Sequence, residues 1–286
     1  MERVREVARS RKARPGVLTF HPHPRQVLFG ASIPLISPLA ERIEFLSSAG
    51  AERIWVVNFT RRFSHLSAEH FLERWFCSLS TTRGIVVGED FTFGRGGKHN
   101  RRLLRSFARE KGIHLEIFPW VREDGRKVSS QRIRRLIARG DVERASQLLG
   151  RPFSVTGPVV SGKGRGRSLG FPTVNLEVPP EIVHPRYGVY FVRYSGPGLS
   201  VPAIANLGLR PTFETGSAPT LEVFVPGRRL QIRAGTAVTV HFLKFIRNER
   251  RFRSSAALVR QIHRDLAIFS DFVHTHHWER YGEPAS

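Results

Sequence analysis

Apolar positions in the first half of the chain recur in two rhythms. Val17–Phe20 is a short apolar run stopped by His21-Pro22-His23-Pro24, and Arg53–Phe59, Gly84–Val87 and His114–Phe118 have the same strand character. Between them Leu39–Ala49, Ala68–Leu79 and Asn100–Lys111 carry apolar residues at helical spacing, with Gly50 and Gly112 as stops. Gln131–Arg139 and Val142–Leu149 follow as two short helices split by Gly140-Asp141. This alternation predicts a parallel sheet with helices packed on it.

The second half changes rhythm. Phe153–Val160, Gly188–Tyr194, Val201–Leu207, Thr220–Val225, Leu230–Arg233 and Ala237–Phe245 are β-rich runs with Gly and Pro between most of them, as in an antiparallel barrel or sandwich. Ser254–Phe272 closes the pattern as an amphipathic helix with Leu258, Ile262, Leu266 and Phe269 on one face. The rhythm changes at Gly150-Arg151-Pro152, which predicts domains at 1–150 and 151–286.

Composition adds limits. At 286 residues with 40% hydrophobic content, each half can build a core. One cysteine, Cys77, allows no internal disulfide and fits a reducing compartment. Residues 1–16 hold no apolar run, and no window reaches ~18 apolar residues, so neither a secretory signal nor a membrane span is expected and the location expected is cytoplasmic. The net charge of +22 suits an anionic partner, a nucleotide or a nucleic acid. It is spread over both halves without a basic block, which favours diffuse surface charge. No aromatic interleaving supports the competing reading, a basic nucleic-acid-binding barrel.

The candidate chemistry centres on Ser161–Asn175, SGKGRGRSLGFPTVN. The stretch fails the Walker A pattern, and it does not sit between a parallel strand and a long helix. Glycines alone read as a mobile hairpin. Phe171-Pro172-Thr173-Val174-Asn175 adds information, because Pro172 fixes its own φ and biases Phe171 toward an extended shape. Thr173 and Asn175, two apart, then face one side. A hydroxyl and an amide there can ligate Mg²⁺, which keeps most of its waters and takes few protein ligands.

This stretch resembles the ATP–Mg loop of riboflavin kinases, a Gly/Arg-rich loop followed by L-G-F-P-T-A-N, with Val174 in place of Ala. The resemblance continues through Tyr187–Tyr190, Ala205–Phe213, Leu221–Val223, His241–Glu249 and Gln261–Asp265. It implies a six-stranded antiparallel β-barrel with a C-terminal helix, and transfer of the γ-phosphoryl of Mg-ATP to the 5′-hydroxyl of riboflavin to give FMN. It implies ATP contacts at Gly162, Gly164, Gly166, Gly170, Phe171, Pro172, Thr173 and Asn175, with Thr173 and Asn175 also on the metal. Glu222 is implied as the catalytic base, and Arg210 and Arg247 as flavin contacts. The short basic Pro226–Arg229 replaces a longer acidic turn usual in the family.

Residues 17–149 resemble the family's FMN adenylyltransferase module, a Rossmann-like α/β nucleotidyltransferase fold that makes FAD. The matching runs are Leu18–Arg25, Gly88–Gly94 and Val128–Arg134, with His23, Asp90, Ser129, Ser130 and Arg134 as the implied nucleotide-site residues. His21 and His23, each beside proline, mark a rigid strand exit rather than metal ligands. The module's opening G-x-F-D-G-x-H-x-G-H is absent from these 286 residues, the Thr expected after Ser-Ser is Gln131, and Gly97 and His99 replace an Arg and a Gly. A degenerate adenylyltransferase and a complete bifunctional enzyme with an upstream start are both expected alternatives. Without its first, central strand the sheet should separate into pairs. His274, His276 and His277 read as a solvated tail, and Trp55, Trp75 and Trp120 as core. The partners expected are small molecules, with no nucleic acid and no membrane.

Overall fold

The structure is a computed structural model that describes residues 1–30, 32–77, 82–98, 101–162, 164–209 and 219–275. In chain order the elements are α1 (Glu2–Ser10), β1 (Gly16–His21), α2 (Pro24–Phe29), α3 (Leu39–Ser48), β2 (Arg53–Asn58), α4 (Arg61–Ser64), α5 (Ala68–Leu72), β3 (Gly84–Gly88), α6 (Arg101–Glu110), β4 (His114–Phe118), β5 (Arg122–Glu123), β6 (Arg126–Lys127), α7 (Ser130–Arg139) and α8 (Val142–Leu149). Then come β7 (Phe153–Val160), α9 (Arg165–Ser168), β8 (Thr173–Glu177), β9 (Gly188–Gly196), β10 (Leu199–Leu209), β11 (Pro219–Phe224), β12 (Ala237–Asn248) and α10 (Ser255–Thr275). They form two compact units, one of residues 1–33 and 37–128, the other of 34–36 and 129–286.

In the first unit β1 pairs with β2 and β3 with β4, both in parallel. Among the described residues no strand joins the two pairs, the separation the sequence predicted. None of the β1 side chains is fully buried, although Val17-Leu18-Thr19-Phe20 is an apolar run. The buried cluster lies under the helices, where Phe71, Leu72, Ile85, Leu104 and Phe107 meet. The helix predicted from Ala68 changes to a π-helical turn at Glu73–Cys77, and Ser78 and Leu79 lie outside the described residues. Trp120, expected in the core, is exposed. Its ring is covered on one face by the Lys127 ammonium, 3.9 Å from the centroid, so a surface lysine does the work of packing.

In the second unit the six strands close a barrel in the order β10-β11-β8-β7-β12-β9. All the pairings are antiparallel. Its interior is filled with Phe153, Val155, Leu176, Tyr190, Leu207, Leu221 and Phe242, all at most 1% exposed. Closure needs bends, and β12 shifts register between Phe242 and Lys244 and again between Phe245 and Arg247. Pro202 lies inside β10 but pairs only with β9, because β11 joins β10 from Ile204 onward. One strand was misplaced by the sequence reading. Leu230–Arg233 is not a strand, and the sixth is Thr173–Glu177.

The helix α10 lies on the outer wall, where Phe269 meets Phe191 of β9 edge to face and Phe272 meets it tilted, with centroids 5.2 and 5.0 Å apart. Midway along it the buried Asp265 accepts hydrogen bonds from Arg247 and Gln261. The α7–α8 pair also belongs to this unit. Its turn at Gly140 fits against Arg186, Tyr190 and Phe245, leaving about 3.3 Å where a Cβ would stand. A segment from the first half joins it too. Leu35 donates its N–H to Glu181 and accepts from Val183 at 2.7 and 2.8 Å, a short parallel bridge.

Candidate active site

The antiparallel register brings three polar side chains into one row on the outer wall. Glu222 of β11 stands directly opposite Asn175 of β8 on one side and Asn206 of β10 on the other. Directly opposed Cβ atoms lie ~4.5–5.5 Å apart, so the carboxylate is flanked by two amides. Glu222 is exposed, Asn206 half-buried and Asn175 8% exposed. Thr173 lies two residues before Asn175 on the same face, opposite Phe224. The hydroxyl, the amide and the carboxylate singled out in the sequence therefore share one surface.

The glycine-rich loop is folded against this row. A Cβ on Gly162 would lie 2.2 Å from the Asn175 Nδ2, so only glycine lets the main chain approach the amide so closely. Gly164, at φ 69°, turns the chain into the single helical turn of α9, and Gly170, at φ 88°, turns it out again. The Phe171 N–H donates to the Gly166 carbonyl at 2.8 Å, and a Cβ on Gly166 would stand 2.4 Å from the Phe171 oxygen. The four glycines thus have separate jobs. Lys163 lies outside the described residues. Pro172 follows and leads straight into β8.

The proposed flavin contacts fare differently. Arg210 lies outside the described residues. The Arg247 Nε donates to both Asp265 oxygens at 3.0 and 3.1 Å, its Nη2 adds a bond of 2.8 Å, and its Nη1 donates to the Asn248 carbonyl. The guanidinium is thus engaged in holding α10 to β12. Two residues not singled out by the sequence reading lie on the same wall. One is Asn206, a polar position in the alternating run Ala205-Asn206-Leu207-Gly208. The other is Glu249, whose Oε1 occupies the space above Gly208, 2.4 Å from where a Cβ would be. The alternation was the available signal for Asn206, whereas Glu249 lies past the end of β12 and only the fold brings it over Gly208.

Residues 149–273 match the family model described as riboflavin kinase, and residues 1–132 the one described as FAD synthetase. A bifunctional riboflavin kinase/FMN adenylyltransferase of Listeria monocytogenes is 30% identical over 93% of this chain and 84% of its own length. One of the same description from Bacillus subtilis is 33% identical over 92% and 83%. The chain belongs to the riboflavin kinase/FMN adenylyltransferase family. A solved structure described as a macrolide-efflux protein from Streptococcus pneumoniae is 31% identical, with a TM-score of 0.85 over 94% of this chain and 87% of that one. Its likeness extends the shared fold across both halves. No helix among the described residues is long and apolar enough to cross a membrane.

The positions matching the family's adenylyltransferase motifs are divided between the units. In the first, β1 ends at His21, and His23 caps α2, its Nδ1 accepting from the Arg25 N–H at 3.2 Å while Gln26 accepts from the His23 N–H. That is the rigid strand exit expected of the His-Pro pairs. Asp90 pairs with Lys127 at 2.6 Å, and that ammonium holds its carboxyl below the usual range. In the second unit Ser129 caps α7 through the Arg132 N–H, Ser130 opens the helix, and the Arg134 Nε donates to the Pro34 carbonyl at 2.6 Å. His274 lies exposed in the last turn of α10, and His276 and His277 lie outside the described residues.

Proposed function

We propose that the barrel phosphorylates riboflavin to FMN with Mg-ATP, with residues 151–286 as the kinase domain and 1–150 as an FMN adenylyltransferase-like domain. The observation that carries the site assignment is the row Asn175–Glu222–Asn206 beneath the glycine-rich loop. Among the described residues no cluster of three or more His, Cys, Asp or Glu could hold a metal. The neutral donors Thr173 and Asn175 fit instead an ion such as Mg²⁺ that keeps most of its ligands as water and phosphate oxygens. Bound there, it would neutralise charge on the transferred group.

The chain's residues then divide the work. The exposed Arg167 of the glycine-rich loop neutralises part of the polyphosphate charge. Asn206, on the other side of Glu222, holds the acceptor hydroxyl beside it. Glu222 takes the proton of the 5′-hydroxyl as its oxygen bonds to the γ-phosphorus and the bond to ADP breaks. Positioning and charge neutralisation supply most of the acceleration, and the base adds ~10²–10⁴-fold.

The test is FMN formation from riboflavin and ATP. Glu222→Gln should lower kcat by roughly 10²-fold or more with the far-ultraviolet dichroism unchanged. Thr173→Ala should chiefly raise the Mg²⁺ concentration needed for half-maximal rate. Unaltered rates in both variants would remove the site assignment.

A further inference from the structure

His263 takes no part in the chemistry above, yet it touches the glycine-rich loop. It lies on the exposed face of α10, one turn after Arg260 and beside Arg264. Its ring meets Phe171 edge to face, with centroids 5.6 Å apart at 76°. Phe171 meets Phe224 in the same manner at 5.5 Å and 80°. Phe224 is the direct partner of Thr173 on one side and Ile204 on the other, and Ile204 lies in the apolar cluster with Phe269 of α10.

Phe171 is therefore clamped between a barrel strand and the closing helix. On its N-terminal side is Gly170 in a left-handed conformation, and on its C-terminal side Pro172 and then Thr173. A glycine hinge transmits little restraint, whereas a proline transmits much. Fixing the Phe171 ring thus fixes Thr173 and, through the Phe171–Gly166 hydrogen bond, the base of the loop. A histidine suits the helix position because its edge packs on the ring while its polar tip stays in water.

We infer that His263 is a positioning residue for the kinase reaction, clamping Phe171 against Phe224 so that Thr173 and the glycine-rich loop are held in register with Glu222. The inference rests on reading the barrel as a riboflavin kinase. His263 touches no reacting atom, so its removal should loosen nucleotide binding and leave the chemical step largely intact.

The experiment compares the full chain with His263→Ala and His263→Phe. It follows FMN formation at varied Mg-ATP and varied riboflavin, and hydrogen exchange at the Phe171 amide without ligand. In His263→Ala the KM for Mg-ATP should rise, and the Phe171 amide exchange faster, each by roughly two- to tenfold, the range of one edge-to-face contact. The KM for riboflavin, kcat and the exchange of β9 amides should stay within about twofold of the parent. His263→Phe keeps an aromatic edge and should restore both affected values. Parent-like KM and exchange in His263→Ala would overturn the inference, as would a His263→Phe variant as impaired as the alanine. No FMN from the parent chain would instead remove the kinase reading, and with it this role.

Discussion

At the scale of single residues, polar groups on the barrel wall divide into those facing ligand space and those sealed beneath packing. His241 is half-buried, nearer the second kind. It stands on β12 opposite Ser154 and Arg193, and burial, followed by the charges of Arg193 and Arg151, pushes its pKa down to about 3. The folded state thus refuses a proton that the unfolded chain accepts near pH 6.5. This makes the protein lose stability as pH falls below about 6.5 toward 3, by at most ~1.4 kcal/mol per pH unit from this group. His241→Gln should flatten that part of the acid slope, measured as urea midpoints at pH 7, 6 and 5 against the parent. The sequence could show a histidine in a strand. It could not show that the nearest charges are both cations, because Arg151, Arg193 and His241 meet only through the register.

At the scale of elements, the Arg247–Asp265 ion pair ties α10 to β12 beside its apolar contact with Phe191. Arg247 and Asp265 are 14% and 5% exposed at their side chains, and the aspartate takes four hydrogen bonds from Arg247 and Gln261. Removing one partner from such a pair strands the other, so Asp265→Ala should cost ~3–5 kcal/mol by chemical denaturation. Arg247→Met with Asp265→Leu should recover part of that loss. Elements with a clear strand or helical pattern were legible in advance, and β7, β4 and α8 fall where they were expected. The misplacement of the sixth strand has a physical reason. Leu230-Gln231-Ile232-Arg233 alternates as a strand would, but turns bracket it and it gains no ladder partner. β8 is only five residues long and follows Pro172, yet β7 and β11 supply partners on both sides. Pairing, which is non-local, decided between two short candidates of similar propensity. The extended Thr173–Asn175 geometry was nevertheless readable from Pro172, and with it the shared face of hydroxyl and amide.

At the scale of the whole molecule, the two halves match the family's motifs unequally. The row Asn175–Glu222–Asn206 is assembled within the barrel unit, whereas the positions matching the adenylyltransferase motifs include Gln131 in place of Thr and Gly97 in place of Arg. The 286-residue chain should therefore accumulate FMN from riboflavin and ATP, with FAD formed from supplied FMN at least tenfold more slowly, a change of ~1.4 kcal/mol or more in barrier. Chromatography of the flavin products over time checks this, and comparable FMN and FAD rates would refute it. The predicted boundary at Gly150 follows the change in strand rhythm. The observed units divide after Val128, since the Gly140 turn between α7 and α8 fits against Arg186, Tyr190 and Phe245. Rhythm reports the element type, and only packing reports which neighbour an element joins.

The bridge between Leu35 and the Glu181–Val183 segment has a consequence for biosynthesis. Residues 34–36 leave the ribosome long before residue 181 has been translated, so this part of the first half must wait, without its final partner, until more than half of the chain has emerged. The second unit is therefore completed by a piece made early and held in reserve. A gene cut into two consecutive reading frames would put that piece in a different polypeptide from the barrel it completes.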